Sequence, residues 1–232
     1  MAEPMALEEA EDPEAKSRAL EALLKMVARL APEKLAETVS NLDGADAALG
    51  LRAALDLCAT RPTRESGFAL LARIRGKFAP GDARVFEETS AALRLGAVTG
   101  LPGAVAGVAV LKTLLPPSLP RTPLGLDAAR TAAAWLAEAD HPDDAPYARR
   151  VAEFATFSCG ADPPRVAALL IAVLEAASRP GSAPAVGELA FRLLDAAASS
   201  QIEFVDALRR GGVDDAALDR AGVAATAWRG DA

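Results

Sequence analysis

Residues 96–112 read GAVTGLPGAVAGVAVLK, with no charge between Arg94 and Lys112 and with glycines at 96, 100, 103 and 107. Three structures compete for such a stretch: a membrane-spanning helix, a phosphate-cradling loop, and a helix whose glycines admit another backbone. On one continuous helix, steps of four, three and four would place all four glycines on a single face. That helix is disfavoured, because four interior glycines cost ~4 kcal/mol relative to alanine and Pro102 adds ~3 kcal/mol. Leu101, preceding proline, is also biased away from α. A break at Thr99-Gly100-Leu101 resolves the conflict: Gly100 ends one helix in the left-handed conformation, and Pro102 starts another running to about Leu115. Gly103 and Gly107 then mark a close helix contact, with Leu101, Val105 and Val108 on the opposite side. The uncharged run is 17 residues long, short of the ~20 predominantly apolar residues a spanning helix needs. A phosphate loop would carry Lys and Ser or Thr directly after its glycines, and Lys112 comes too late. The stretch therefore predicts a buried central helix.

Outward from this segment, prolines punctuate the chain at helix-start positions: Asp12-Pro13, Ala31-Pro32, Arg61-Pro62-Thr63, Ala79-Pro80-Gly81-Asp82, Thr122-Pro123, Asp162-Pro163 and Ser182-Ala183-Pro184. Proline in a first turn is harmless because its missing N–H would be unpaired there. Between the starts, apolar residues recur at three and four. Leu20, Leu23, Leu24, Val27 and Leu30 line a first helix; Leu35, Val39 and Leu42 a second; Leu51, Leu55 and Cys58 a third. Phe68, Leu71 and Ile74 line a fourth that Thr63 is placed to cap, and Asp82 opens a fifth with Phe86, Leu93 and Ala97 inward. Beyond the glycine segment, faces follow over 123–139 (Ala128, Ala132, Trp135, Leu136), 145–159 (Tyr147, Val151, Phe154), 163–178 (Val166, Leu169, Leu170, Val173, Leu174) and 184–198 (Val186, Leu189, Leu193, Leu194), with shorter helices near Ile202 and over Val213 to Trp228. The reading is all-α with about twelve short antiparallel helices, in a compact globule or a curved HEAT-like array. A length repeats but no residue signature does, which favours the globule. Expected boundaries are an acidic flexible tail over 1–12, a helical half over 13–115, a Pro-rich linker over 116–123 and a second half over 124–230, the two halves being compatible with one domain.

Composition supports the helical reading and narrows function. Of 232 residues, 51% are apolar but only 4% aromatic, and Ala and Leu are strong helix formers. Residues 1–50 carry a net −6, residues 51–115 a net +4 and residues 116–232 a net −5. An acidic chain with one mildly basic middle gives no reason to expect nucleic-acid binding, which favours a continuous basic face. Arg outnumbers Lys twenty to five, a bias that fits a GC-rich bacterial genome. The N-terminus MAEPMALEEAEDPEAK is acidic where a secretory signal is basic, so a cytoplasmic location is expected.

Candidate chemistry is sparse. The single histidine, His141, sits in ADHPDDAP with Asp140, Asp143 and Asp144. These four are weak candidates for a divalent-metal site, but Asp and Pro are also what turns select, and the turn reading is preferred. Cys58 and Cys159 fall in Ala/Leu-rich helices about 100 residues apart and read as buried thiols rather than a bridge or metal pair. Neither H-E-x-x-H nor G-x-S-x-G nor a Walker A motif is present. Arg61, Arg64, Arg73, Arg75 and Lys77 flank one helix and form a candidate contact for an anion or an acidic partner. Helix-end dipole compensation already accounts for Arg73, Arg75 and Lys77. The acidic run Glu8 to Glu14 is either a frayed tail or a segment docked on that patch.

By elimination the sequence predicts a non-catalytic protein–protein interaction module. Its partner would be another protein or a second copy of the chain; no cofactor, nucleic acid or membrane is expected. Two alternatives come from other classes: a membrane-active protein that inserts residues 95–111, and a helical enzyme or ligand binder with a cavity near Trp135, Tyr147 and Phe154.

Overall fold

The computed structural model describes residues 12–99, 101–115, 119, 122–138 and 145–159, with isolated positions at 169, 172, 173, 210 and 216. Among these the fold is all-α, with eight α-helices and no strand. They are α1 (Pro13–Leu30), α2 (Leu35–Ser40), α3 (Gly44–Ala59), α4 (Arg64–Ile74), α5 (Ala83–Thr99), α6 (Leu101–Val110), α7 (Pro123–Glu138) and α8 (Ala145–Cys159), with 3-10 turns at Pro32–Lys34, Arg61–Thr63 and Arg75–Lys77. The eight take the place of the about twelve expected along the whole chain. Of the four expected beyond residue 160 only the isolated helical positions 169, 172, 173, 210 and 216 are described, and residues 1–11 of the expected tail and most of the Pro-rich stretch lie outside the described residues.

Helix starts follow from short acceptor side chains and proline. Asp12 accepts from Glu14 N at 3.0 Å ahead of Pro13, and Asp43 accepts from Ala45 N and Asp46 N, each at 2.9 Å. Asp82 takes Arg84 N at 3.0 Å, and Thr122 takes Gly125 N at 3.2 Å ahead of Pro123. Each bond satisfies a backbone donor that the first turn leaves unpaired. Thr63 behaves differently from the expected cap of α4. Its hydroxyl donates to Leu57 O at 2.8 Å instead, so it closes the carbonyl end of α3.

In the glycine segment α5 reaches Thr99 and α6 begins at Leu101, so these two residues, expected within a break, are both helical, and Pro102 sits in the first turn of α6. The expected left-handed Gly100 lies outside the described residues. α6 stops at Val110 rather than near Leu115, because the chain tightens into turns there, with Leu111 N bonded to Val108 O and Leu114 N to Leu111 O. Leu114 O in turn accepts from Gly81 N at 3.0 Å. Gly81, at φ +79°, occupies the left-handed region that favours glycine.

α6 is buried on every side. Ala104, Val105, Ala106, Val108 and Leu111 have no exposed surface, and the helix packs against α3, α4, α5, α7 and α8. One apolar core runs from Leu24 on α1 through Leu51, Leu55, Leu71 and Ile74 to Phe154, Leu169 and Val173. The first helix departs from expectation. Leu24 is fully buried, but Leu23 and Leu30 are 43% and 76% exposed. α1 packs mainly on α3, and a helix seated at an edge buries only the arc facing its neighbour, here the arc around Leu24 and Ala28.

The glycines set the interhelical distance. A Cβ at Gly103 would overlap the Cys58 carbonyl oxygen, far closer than van der Waals contact, and one at Gly107 would lie 3.1 Å from Cys58 Cβ. Gly67 on α4 meets the same turn of α3 from another side, its Cβ position being 2.6 Å from Cys58 N. Gly103→Ala is expected to destabilise the fold by about 3 kcal/mol, because a backbone carbonyl cannot step aside as a side chain can. Gly76→Ala, with nothing within 4 Å of its Cβ position, is expected to change stability by less than ~0.5 kcal/mol. Urea denaturation of both variants checks the pair; equal midpoints would contradict the close contact.

Candidate functional site

The five cations flanking α4 are held apart. Arg61 and Arg64 sit at its start, while Arg73, Arg75 and Lys77 lie at the far end of an 11-residue helix, ~16 Å away at 1.5 Å per residue. Lys77 Nζ donates to Ser40 O at 2.8 Å and Leu42 O at 3.1 Å, so it neutralises the carbonyl end of α2. Arg61, Arg73 and Arg75 are exposed and Arg64 is buried. His141, Asp140, Asp143 and Asp144 lie outside the described residues. Among those described, no three metal-ligating side chains converge, and no helix is long and apolar enough to cross a membrane.

Arg64 instead belongs to an exchange between α4 and α8. Its Cζ lies 4.9 Å from the Tyr147 ring centroid, and Arg150 Cζ lies 3.8 Å from that of Phe68. The two rings stack with centroids 5.5 Å apart and planes 16° from parallel. Each helix thus lends an arginine to the ring of the other. Tyr147 donates its hydroxyl to Glu65 Oε1 at 2.7 Å. A desolvated cation–π contact contributes up to ~2 kcal/mol, so this cluster fastens α8 to the N-terminal helices. Cys58 lies within the field of both arginines, yet burial pushes its thiol up to about 12. Burial, and then the Glu65 carboxylate, push the Tyr147 phenol up to about 12. At neutral pH neither group ionises, and a buried neutral thiol is not a nucleophile. Tyr147 and Phe154 are core residues, and Trp135 packs partly buried against the same core.

A second feature has no counterpart in the sequence reading. α1, α3 and α5 enclose a groove of about 330 Å³ floored by Leu55, Ala59 and Ala92. Arg52 clasps Glu88 through two bonds of 2.9 and 2.8 Å, which hold the guanidinium's pKa above its ordinary value. Lys25 bridges Asp56 at 2.5 Å and Glu21 at 2.7 Å. Burial draws its ammonium down, but the bonds to Asp56 and Glu21 outweigh that and hold it above its ordinary value. On the other flank of α1, Leu23, Met26 and Leu30 stand exposed at spacings of three and four. The Arg52–Glu88 pair spans 36 residues, so no local pattern announces it. Leu23 and Leu30 of this stripe fall on the face that the sequence spacing assigns to the core, and the structure turns them outward.

No protein family, characterised protein or solved structure matches this chain in any of three comparisons.

Two measurements check the Cys58 and Tyr147 environments. In a Cys159→Ser background, the Cys58 thiol is expected to resist iodoacetamide at pH 8 while folded and to react once urea unfolds the chain. Both groups hold their protons more tightly folded than unfolded, so their stabilisation is complete below about pH 9 and is lost as pH rises towards 12. The melting temperature is therefore expected to fall above pH 9, and less steeply in Tyr147→Phe. Labelling at equal rates folded and unfolded, or a flat alkaline profile, would contradict this picture.

Proposed function

We propose that this chain is a non-catalytic protein–protein interaction module of a bacterial cytoplasm, an adaptor, scaffold or assembly component. The observation that carries the reading is the stripe on α1, where Leu23, Met26 and Leu30 are 43%, 51% and 76% exposed. Helical partners read anchors at this i, i+3, i+7 spacing. Among the described residues the groups that could do chemistry are engaged elsewhere: the Cys58 thiol is buried, the Tyr147 phenol is bonded to Glu65, and Arg52 and Lys25 are paired with carboxylates. A buried free thiol fits a reducing compartment. The proposed architecture is a compact globule rather than a curved array. Units of an array touch only their neighbours in sequence, whereas α6 packs against five other helices.

The proposal predicts that a photo-cross-linkable residue at Met26, introduced in the native host, traps one specific protein, either a partner or a second copy of the chain. The adduct should disappear when Leu23→Glu and Leu30→Glu are added, with the melting temperature changed by less than ~2 °C because both side chains already meet solvent. The same probe at exposed Arg73 serves as control. Equal, diffuse labelling at both positions would contradict the reading.

A further inference from the structure

The walls of the groove have a helical regularity. α3 presents Arg52, Leu55, Asp56 and Ala59, and α5 presents Glu88, Ala91, Ala92 and Leu95; each set follows i, i+3, i+4, i+7. Two helix faces of this pattern, both packed on the same core and rising beside a shared trough, are what a third helix packs against. Ala59 and Ala92 keep the floor shallow enough for another helix to approach, with small, exposed Ala91 on the wall, and Leu95, 47% exposed, stands at the rim as an apolar anchor. At about 330 Å³ the trough is at the small end of binding cavities, ~300–1,000 Å³. It suits two or three inserted side chains.

Charge selects among helices. Three carboxylates, Glu21, Asp56 and Glu88, face two cations, Lys25 and Arg52, which leaves the trough one negative charge in excess. Asp56 remains 42% exposed despite its bond to Lys25. The whole chain carries −7, a field that favours encounter with basic partners. We infer that the groove between α1, α3 and α5 receives an amphipathic helix of a partner protein, with small or branched apolar side chains on its buried face and Lys or Arg beside them. Its apolar residues fill the trough over Leu55 and Ala92, and its cations meet the partly exposed Asp56. Glu21 and Lys25 lie on the opposite flank of α1 from Leu23 and Leu30, so this surface is distinct from the α1 stripe. The inference goes beyond the interaction-module reading, and each can fail alone.

The test uses the full chain and two designed helical peptides. Both carry Leu and Ala at i, i+3, i+4 and i+7, one flanked by Lys and the other by Glu, and binding is followed by fluorescence anisotropy. The Lys peptide is expected to bind at least tenfold more tightly than the Glu peptide. Ala91→Arg, at an exposed position on the groove wall, should weaken it at least tenfold while far-ultraviolet circular dichroism and the melting temperature stay unchanged. Leu23→Glu should leave binding unaffected. Equal affinity for both peptides, or binding that survives Ala91→Arg, would overturn the inference, as would no binding at all. Concentration-dependent dimerisation abolished by Ala91→Arg would also overturn it, since the occupant would then be a second copy. In each of these cases a specific adduct at Met26 would leave the interaction-module reading standing.

Discussion

At Cys58 three helices come within backbone distance of one another, and the remainder of the packing is arranged around that approach. Gly67 brings α4 onto the Ala54–Cys58 turn of α3, and Gly103 and Gly107 bring α6 onto the same turn from another direction. Separations this small need residues without a Cβ, and they place α6 deep enough to be covered by α5, α7 and α8 as well. Helix propensity opposes the arrangement, since each interior glycine costs ~1 kcal/mol relative to alanine. Burial of Val105, Val108 and Leu111, all fully enclosed, offsets it at roughly 1.5–3 kcal/mol per large side chain. A short, glycine-bearing helix that would be unstable alone becomes the centre of the core.

The charged groups serve the same end. Arg64 and Arg150 cross between α4 and α8 to stack on each other's aromatic neighbours, and Arg52 ties α3 to α5 through Glu88. Lys25 ties α1 to α3 through Asp56, and Lys77 closes the carbonyl end of α2. Partly buried pairs of this kind hold their geometry because breaking one leaves a charge short of its partner. What the described surface offers beyond them is apolar: the outward stripe of α1 and the trough between α1, α3 and α5. Both suit recognition of another polypeptide better than chemistry on a substrate.

Much of this was legible in the residues themselves. The Asp-Pro and Thr-Pro starts located α1 and α7, and Pro102 located the first turn of α6. Gly103 and Gly107 stood out because they are four apart in a segment without charge, whereas Gly67 is a lone glycine with no partner to mark it. Arg64 could not be told from Arg61 by sequence, because what separates them is an aromatic ring 83 positions further on, at Tyr147. Leu23 and Leu30 depart from the expected inward face for a physical reason: Leu20, Leu23, Leu24, Val27 and Leu30 span a wider arc than the helices beside α1 cover. The groove was invisible because its walls come from helices whose pairing only the fold decides.

Native-state hydrogen exchange tests the central place of α6 most directly. If α6 is the hub, the amides of Val105 to Val110 exchange only through global unfolding, with an opening free energy equal to that from urea denaturation, while those of α1 near Leu30 open earlier. Exchange of the α6 amides through a cheaper, local opening, at rates like those of α1, would contradict the account.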